Sequence, residues 1–212
     1  VKANVVVVNL PAHGIDLTDG TRTGLNDYVK SVTNTVNAQS GKVILVGHSM
    51  AGMVISQVAE NIPSKIEKLV YVAAFLPKNG ESLNSIVNKF LNNKQPEIFE
   101  FNKDYSLISI KKEVIPTVVC DDCPPFMKEA LVKYHRAEPL KGFNDKVTLT
   151  SKFAAVPKYY IATTADNAVP FPLQQQMIQN NGGVKKVFEM KTSHLPFVVQ
   201  ADEFLKILSG IN

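Results

Sequence analysis

A chain of 212 residues with 45% apolar content is long enough to bury one full core, with room for an insertion. Its 23 basic and 19 acidic side chains leave a formal charge of +4 with no dense Lys/Arg run, which argues against nucleic acid or an anionic membrane surface as a partner. No apolar run approaches the roughly 18 residues needed to span a bilayer, so no membrane span is expected. The N-terminal stretch, residues 1–8, lacks the charged start and cleavage site of a signal peptide and reads as a strand already in progress. The compartment stays open, and so does the choice between a monomer and a homodimer.

In chain order, residues 5–10, 43–46, 69–74 and 159–163 are continuous β-branched or apolar runs, the pattern of strands buried on both faces. Residues 186–190 form a shorter and more polar fifth run. Between them, 25–39, 51–60, 173–178 and 201–208 carry helical spacing, with Tyr28, Val29, Val32 and Val36 on one face of the first. Asp202 and Glu203 stand in the first turn of the last, where the helix dipole favours them. Strand alternating with helix predicts an α/β fold with a mostly parallel sheet and helices on both faces. Residues 78–146 break the pattern, being rich in Asn, Lys and Pro with scattered aromatics. They are too long for a loop and read as a mostly helical cap over the sheet's carboxyl edge, where open α/β sheets bind ligands. The domain reading is core 1–77, cap insertion 78–147 and core 148–212.

The segment that carries chemistry is Val43-Ile44-Leu45-Val46-Gly47-His48-Ser49-Met50-Ala51-Gly52. An apolar strand runs into a Gly-x-Ser turn and a helix starts at once, the context of a nucleophile elbow. Such a turn needs small neighbours on both sides of Ser49. Gly47 supplies one; the other position is Ala51 rather than glycine, with Gly52 beside it. The Met50 N–H points where an oxyanion would form, at a helix N-terminus.

A serine nucleophile needs a base. His48 is locked in the elbow and is expected to pack or hydrogen-bond near the turn; His13 follows the first strand; His135 falls on an expected cap helix. His194 alone follows the last strand, at the carboxyl edge, and is read as the base. The base needs a carboxylate to fix its tautomer. The loop Phe75-Leu76-Pro77 has no acid, whereas Asp166 follows the strand 159–163. The order Ser49, Asp166, His194 is that of the α/β-hydrolase fold, and His194 is expected within about 2.6–3.2 Å of both partners. No phosphate-cradling loop, metal-ligand helix or dinucleotide fingerprint competes, so no cofactor is expected. Cys120 and Cys123, in Cys120-Asp121-Asp122-Cys123, have no second pair or histidines at zinc spacing. They read as a structural or incidental pair, with a local disulfide or a metal site as the alternatives.

Residues 46–52, 69–77 and 166–170, together with Ser193-His194, resemble the esterase group that includes plant methylesterases and hydroxynitrile lyases, and resemble its bacterial aryl and carboxyl esterase relatives more closely still. The likeness runs over nearly the whole chain, including Cys123-Pro124-Pro125 and Arg136-Ala137-Glu138-Pro139-Leu140 in the cap. It implies Ser49, Asp166 and His194 as a triad, Met50 as an oxyanion donor, and a cap lining a small apolar pocket for an ester. The cyanohydrin-cleaving branch resembles a pattern with lysine after the catalytic histidine. Leu195 stands there, so no hydrogen cyanide release from mandelonitrile is expected. A hydrolase-derived small-molecule receptor is the alternative from another class. Tight ligand binding without fluorophosphonate labelling at Ser49 would mark it.

The same resemblance implies one more strand and helix ahead of residues 5–10, with a His-Gly oxyanion loop after that strand. His13-Gly14 is spaced wrongly for this loop, because only one helix separates it from the elbow. The expectation is therefore that an upstream segment is absent from this sequence. Residues 5–10 and 43–46 should then lie two strand spacings apart, about 9–10 Å, rather than pair at about 4.8 Å.

Overall fold

A computed structural model describes residues 4–94 and 97–211 of the chain. The beginning of the strand read at the N-terminus, residues 1–3, lies outside the described residues. A 3-10 turn at Gly20–Arg22 leads into α1 (Leu25–Asn37), which buries Tyr28, Val29, Val32 and Val36 as its spacing predicts. β1 (Val43–His48) runs into α2 (Ala51–Asn61) through the elbow, and β2 (Ile66–Val72) follows. The excursion then carries α3 (Leu83–Phe90), β3 (Phe99–Phe101), β4 (Leu107–Ile110), α4 (Ile115–Cys120), α5 (Pro125–Tyr134), β5 (Glu138–Pro139) and α6 (Leu140–Asn144). The chain closes with α7 (Ser151–Ala155), β6 (Lys158–Thr163), α8 (Phe171–Asn181), β7 (Val184–Met190), α9 (Pro196–Val199) and α10 (Ala201–Ser209).

The main sheet is parallel throughout, in the order β1-β2-β6-β7. Its side chains alternate across the pleat. Leu69, Tyr71, Tyr160 and Ala162 join α1 and α2 in the larger core, whereas Val70, Val72 and Ile161 meet Phe204 of α10 on the other face. Two buried tyrosines brace the end of β2: Tyr160 donates to the Ala74 carbonyl at 2.6 Å, and Tyr71 exchanges a bond with Ser56 at 2.8 Å.

One expectation changes. Residues 5–10 do not pair with β1, as expected, but they form no strand. Their apolar run looks like a strand, but a strand needs a neighbour for its N–H and C=O groups, and Val5 and Val7 are instead 78% and 82% exposed. Among the described residues β1 is accordingly an edge of the sheet, with Ile44 and Val46 36% and 46% exposed. The excursion is mostly helical, as read, and adds a small antiparallel sheet of β3, β4 and β5.

The tight approach at the elbow falls on Gly52 as well as Gly47. A Cβ on Gly47 would sit 2.9 Å from the Ala51 carbonyl oxygen, while one on Gly52 would land on the carbonyl oxygen of Phe75. The backbone after β2 thus crowds Gly52, while Ala51 lines the same cavity as Ser49. Gly52→Ala should destabilise the protein by about 3 kcal/mol, the upper range for forced overpacking against backbone. Urea denaturation reads it directly, and a midpoint unchanged from the parent would show that the elbow has slack.

Candidate active site

The elbow places Ser49 in the left-handed region at φ 55°, a conformation disfavoured for a residue with a Cβ. The surroundings hold it there. Ser49 N–H donates to the Val72 carbonyl at 3.2 Å, and the Ser49 carbonyl accepts from Gly52 N–H at 3.1 Å and Phe75 N–H at 3.0 Å. Met50 follows at φ −55° as the cap of α2, so its N–H belongs to a helix N-terminus adjoining Ser49.

Asp166 and His194 come together from the loops after β6 and β7. His194 Nδ1 lies 2.8 Å from Asp166 Oδ2, both residues being 5% exposed. A carboxylate only accepts, so Nδ1 carries the proton and Nε2 keeps its lone pair. The carboxylate is held at every side. Oδ1 accepts from Ala168 N–H and Val169 N–H, each at 2.8 Å, while Oδ2 also accepts from Thr163 Oγ1 at 2.7 Å. Gln174, fully buried on α8, donates to Asp166 Oδ2 at 3.4 Å and to the Val169 carbonyl at 2.7 Å.

Ser49, Met50 and His194 line one cavity of about 960 Å³, walled mainly by apolar side chains such as Phe75, Val87, Phe90, Phe143 and Leu173. The wall combines α3 and β3 of the excursion with the loops after β1, β2 and β6. It lies at the carboxyl edge of the sheet, as open parallel sheets favour.

The other histidines have separate environments. His48 Nε2 donates to the His194 carbonyl at 2.8 Å, and its ring packs 4.4 Å from that of His194. Burial, reinforced by the neighbouring His194, lowers its pKa to about 3, so it stays neutral. His135 does not lie within a helix; it ends α5, and its ring shares a bond with Ser109 Oγ at 2.9 Å.

His13 also reaches the cavity wall, with Nε2 2.6 Å from Glu138 Oε2 and Nδ1 2.9 Å from the Pro11 carbonyl. Its bond to Glu138 raises the His13 pKa above the ordinary 6.5, against the opposing cost of burial. A raised folded pKa adds stability in full below the unfolded value, lost as the pH climbs through the folded one. Glu138→Gln should therefore cost more stability at about pH 5.5 than at about pH 8.5. Thermal melts at the two pH values measure it, and an equal cost at both would remove the charged pair from the account.

Cys120 and Cys123 are bonded to each other as a disulfide, with Cα atoms 5.3 Å apart. Of the alternatives left open by the sequence, this is the one realised. Asp122, inside that small ring, accepts from Ser193 N–H at 2.9 Å and from Ser193 Oγ.

Sequence reasoning missed Thr163, Gln174 and Asp122. Gln174 left one signal, a polar residue on the buried side of a helix that directly follows the acid loop. Asp122 left none, since only the fold brings it to Ser193.

A family model described as the alpha/beta hydrolase family matches residues 1–207. Putative methylesterase 11, chloroplastic, of Arabidopsis thaliana is 31% identical over 88% of this chain and 51% of its own length. The chain thus spans about half the length of that relative. Methylesterase 7 of the same plant is 29% identical over 98% of this chain and 85% of its own. Among solved structures, polyneuridine aldehyde esterase superposes with a TM-score of 0.83 over 96% of this chain and 86% of its own, at 23% identity, a likeness of fold.

Proposed function

We propose that this chain, which belongs to the alpha/beta hydrolase family, is a cofactor-free serine esterase for small apolar carboxylic esters. Ser49 is the nucleophile, His194 the base and Asp166 the acid that orients it. The reading is carried by the 2.8 Å bond between Asp166 and His194, which leaves Nε2 as an acceptor in the cavity that Ser49 also lines. The methylesterase relatives add support by name.

In the first half-reaction His194 Nε2 removes the Ser49 proton as Oγ bonds to the ester carbonyl carbon. The carbonyl oxygen becomes an oxyanion facing the Met50 N–H and the start of α2. Collapse expels the alkoxide, which takes the proton from His194 and leaves as the alcohol. Water then repeats the sequence on the acyl-enzyme, giving the carboxylic acid and free Ser49. The strained Ser49 backbone fits this role, because strain at a nucleophile fixes where its oxygen points.

The apolar wall favours uncharged acyl and alcohol groups. Residues 78–147 act as the cap over a core made of 1–77 and 148–212. The test is a panel of methyl, p-nitrophenyl and bulkier aryl esters with acyl chains of increasing length. Apolar esters should be turned over with kcat/KM well above that for charged analogues. No hydrolysis of any member, with a small molecule bound tightly instead, would favour a receptor and overturn the esterase reading.

A further inference from the structure

We propose that Asp122, held in the turn closed by the Cys120–Cys123 disulfide, is a positioning residue that sets the His194 loop by gripping Ser193. This rests on the esterase reading. The disulfide joins the end of α4 to the start of α5. From inside it, the Asp122 carboxylate takes both donors of Ser193, the N–H at 2.9 Å on Oδ2 and the hydroxyl on Oδ1. Ser193 is 2% exposed and directly precedes His194. Leu195, on the other side of His194, packs in one buried cluster with Cys120 and Cys123. The histidine is therefore bracketed by two contacts to the same turn. The acid loop is tied to α4 as well, since Asn167 Nδ2 donates to the Thr117 carbonyl at 3.0 Å.

The core alone does not account for this. β7 ends at Met190, and the residues between it and α9 form no regular element. The core holds that path by the Ala165 N–H bond to the Thr192 carbonyl at 3.1 Å and the His48 bond to the His194 carbonyl at 2.8 Å. Ser193 between them is held by Asp122, which belongs to the excursion between β2 and β6. A loop that shifts by a fraction of an ångström misaligns His194 against Ser49 while leaving the cavity wall intact. The effect should then fall on kcat rather than on KM.

The test compares Asp122→Ala, Asp122→Asn and Ser193→Ala in the full chain, using p-nitrophenyl butyrate kinetics and the rate of fluorophosphonate labelling. Asp122→Ala should lower kcat by about 10- to 100-fold with KM within about two-fold of the parent. Asp122→Asn can still accept from Ser193 N–H and bond its hydroxyl, so it should recover to within about three-fold. Ser193→Ala loses one of the two bonds and should fall between, and labelling rates should follow the same order. An unchanged kcat in Asp122→Ala overturns the proposal, as does an Asp122→Asn enzyme as impaired as the alanine variant. A parent protein that neither turns over esters nor labels would instead overturn the esterase reading. The positioning claim is then decided by NMR. The His194 Nδ1 proton, bonded to Asp166, should broaden by exchange in Asp122→Ala and stay sharp in Asp122→Asn; equal sharpness in both overturns it.

Discussion

Replacing Ser49 by alanine should lower turnover of p-nitrophenyl butyrate by about five to six orders of magnitude, the scale of losing a triad nucleophile. The fold should survive. Alanine has the same Cβ in the same left-handed backbone, and the bonds that hold residue 49, to Val72, Gly52 and Phe75, all use main-chain atoms. The thermal midpoint should thus stay near that of the parent while activity disappears. Both are read on one preparation. Substantial ester turnover by the folded variant would refute Ser49 as nucleophile, because neither the cavity nor the oxyanion donor can replace a missing covalent step.

Asp166→Asn should have the second largest effect, about 10⁴-fold on kcat, by turning His194 to the wrong tautomer. The local hydrogen bonds make the argument unusually tight. Both carboxylate oxygens accept from donors: Ala168 and Val169 N–H on one, His194, Thr163 and Gln174 on the other. An amide NH2 has no comfortable orientation among them. Pointed at the main-chain pair it faces two donors; pointed at His194 it drives Nδ1 to give up its proton and accept. Nε2 then carries the hydrogen and cannot take one from Ser49. Either way buried donors lose their acceptor, so the variant should also lose about 1–3 kcal/mol of stability. Steady-state kinetics and urea denaturation separate the two effects. Activity within ten-fold of the parent would remove Asp166 from the orienting role.

How much of this was legible in the sequence depends on what each residue answers to. β2 and β6 were readable because buried parallel strands leave uninterrupted apolar runs, and their neighbours are guaranteed by the sheet. Ser49 was readable because the elbow compresses strand, turn and helix into ten residues. The meeting of His194 with Asp166 was readable because both follow strands that end at the same edge of the sheet. Residues 5–10 were misread for the converse reason. Their Val-rich run has the composition of a strand, but a strand is a pairing, and no composition supplies the partner. β3 and β5 were invisible because strands of three and two residues have no periodicity to detect. The disulfide spans only three positions and stayed among the open alternatives because spacing alone does not say whether two thiols pair. The grip of Asp122 on Ser193, in contrast, joins residues 71 positions apart, and nothing local encodes that meeting.

The contact between His48 and His194 bears on how the site behaves in acid. Two imidazoles 4.4 Å apart would ordinarily compete for the same proton, each discouraging the other. Here the competition is settled in advance, because burial holds the His48 pKa at about 3 and leaves it a neutral donor to the His194 carbonyl. On the proposed mechanism, the positive charge that would form on His194 meets a companion that does not repel it. The same arrangement sets an acid weakness. The unfolded chain protonates His48 near pH 6.5 while the folded one resists until far lower, so every step down in pH across that interval draws the equilibrium toward unfolding.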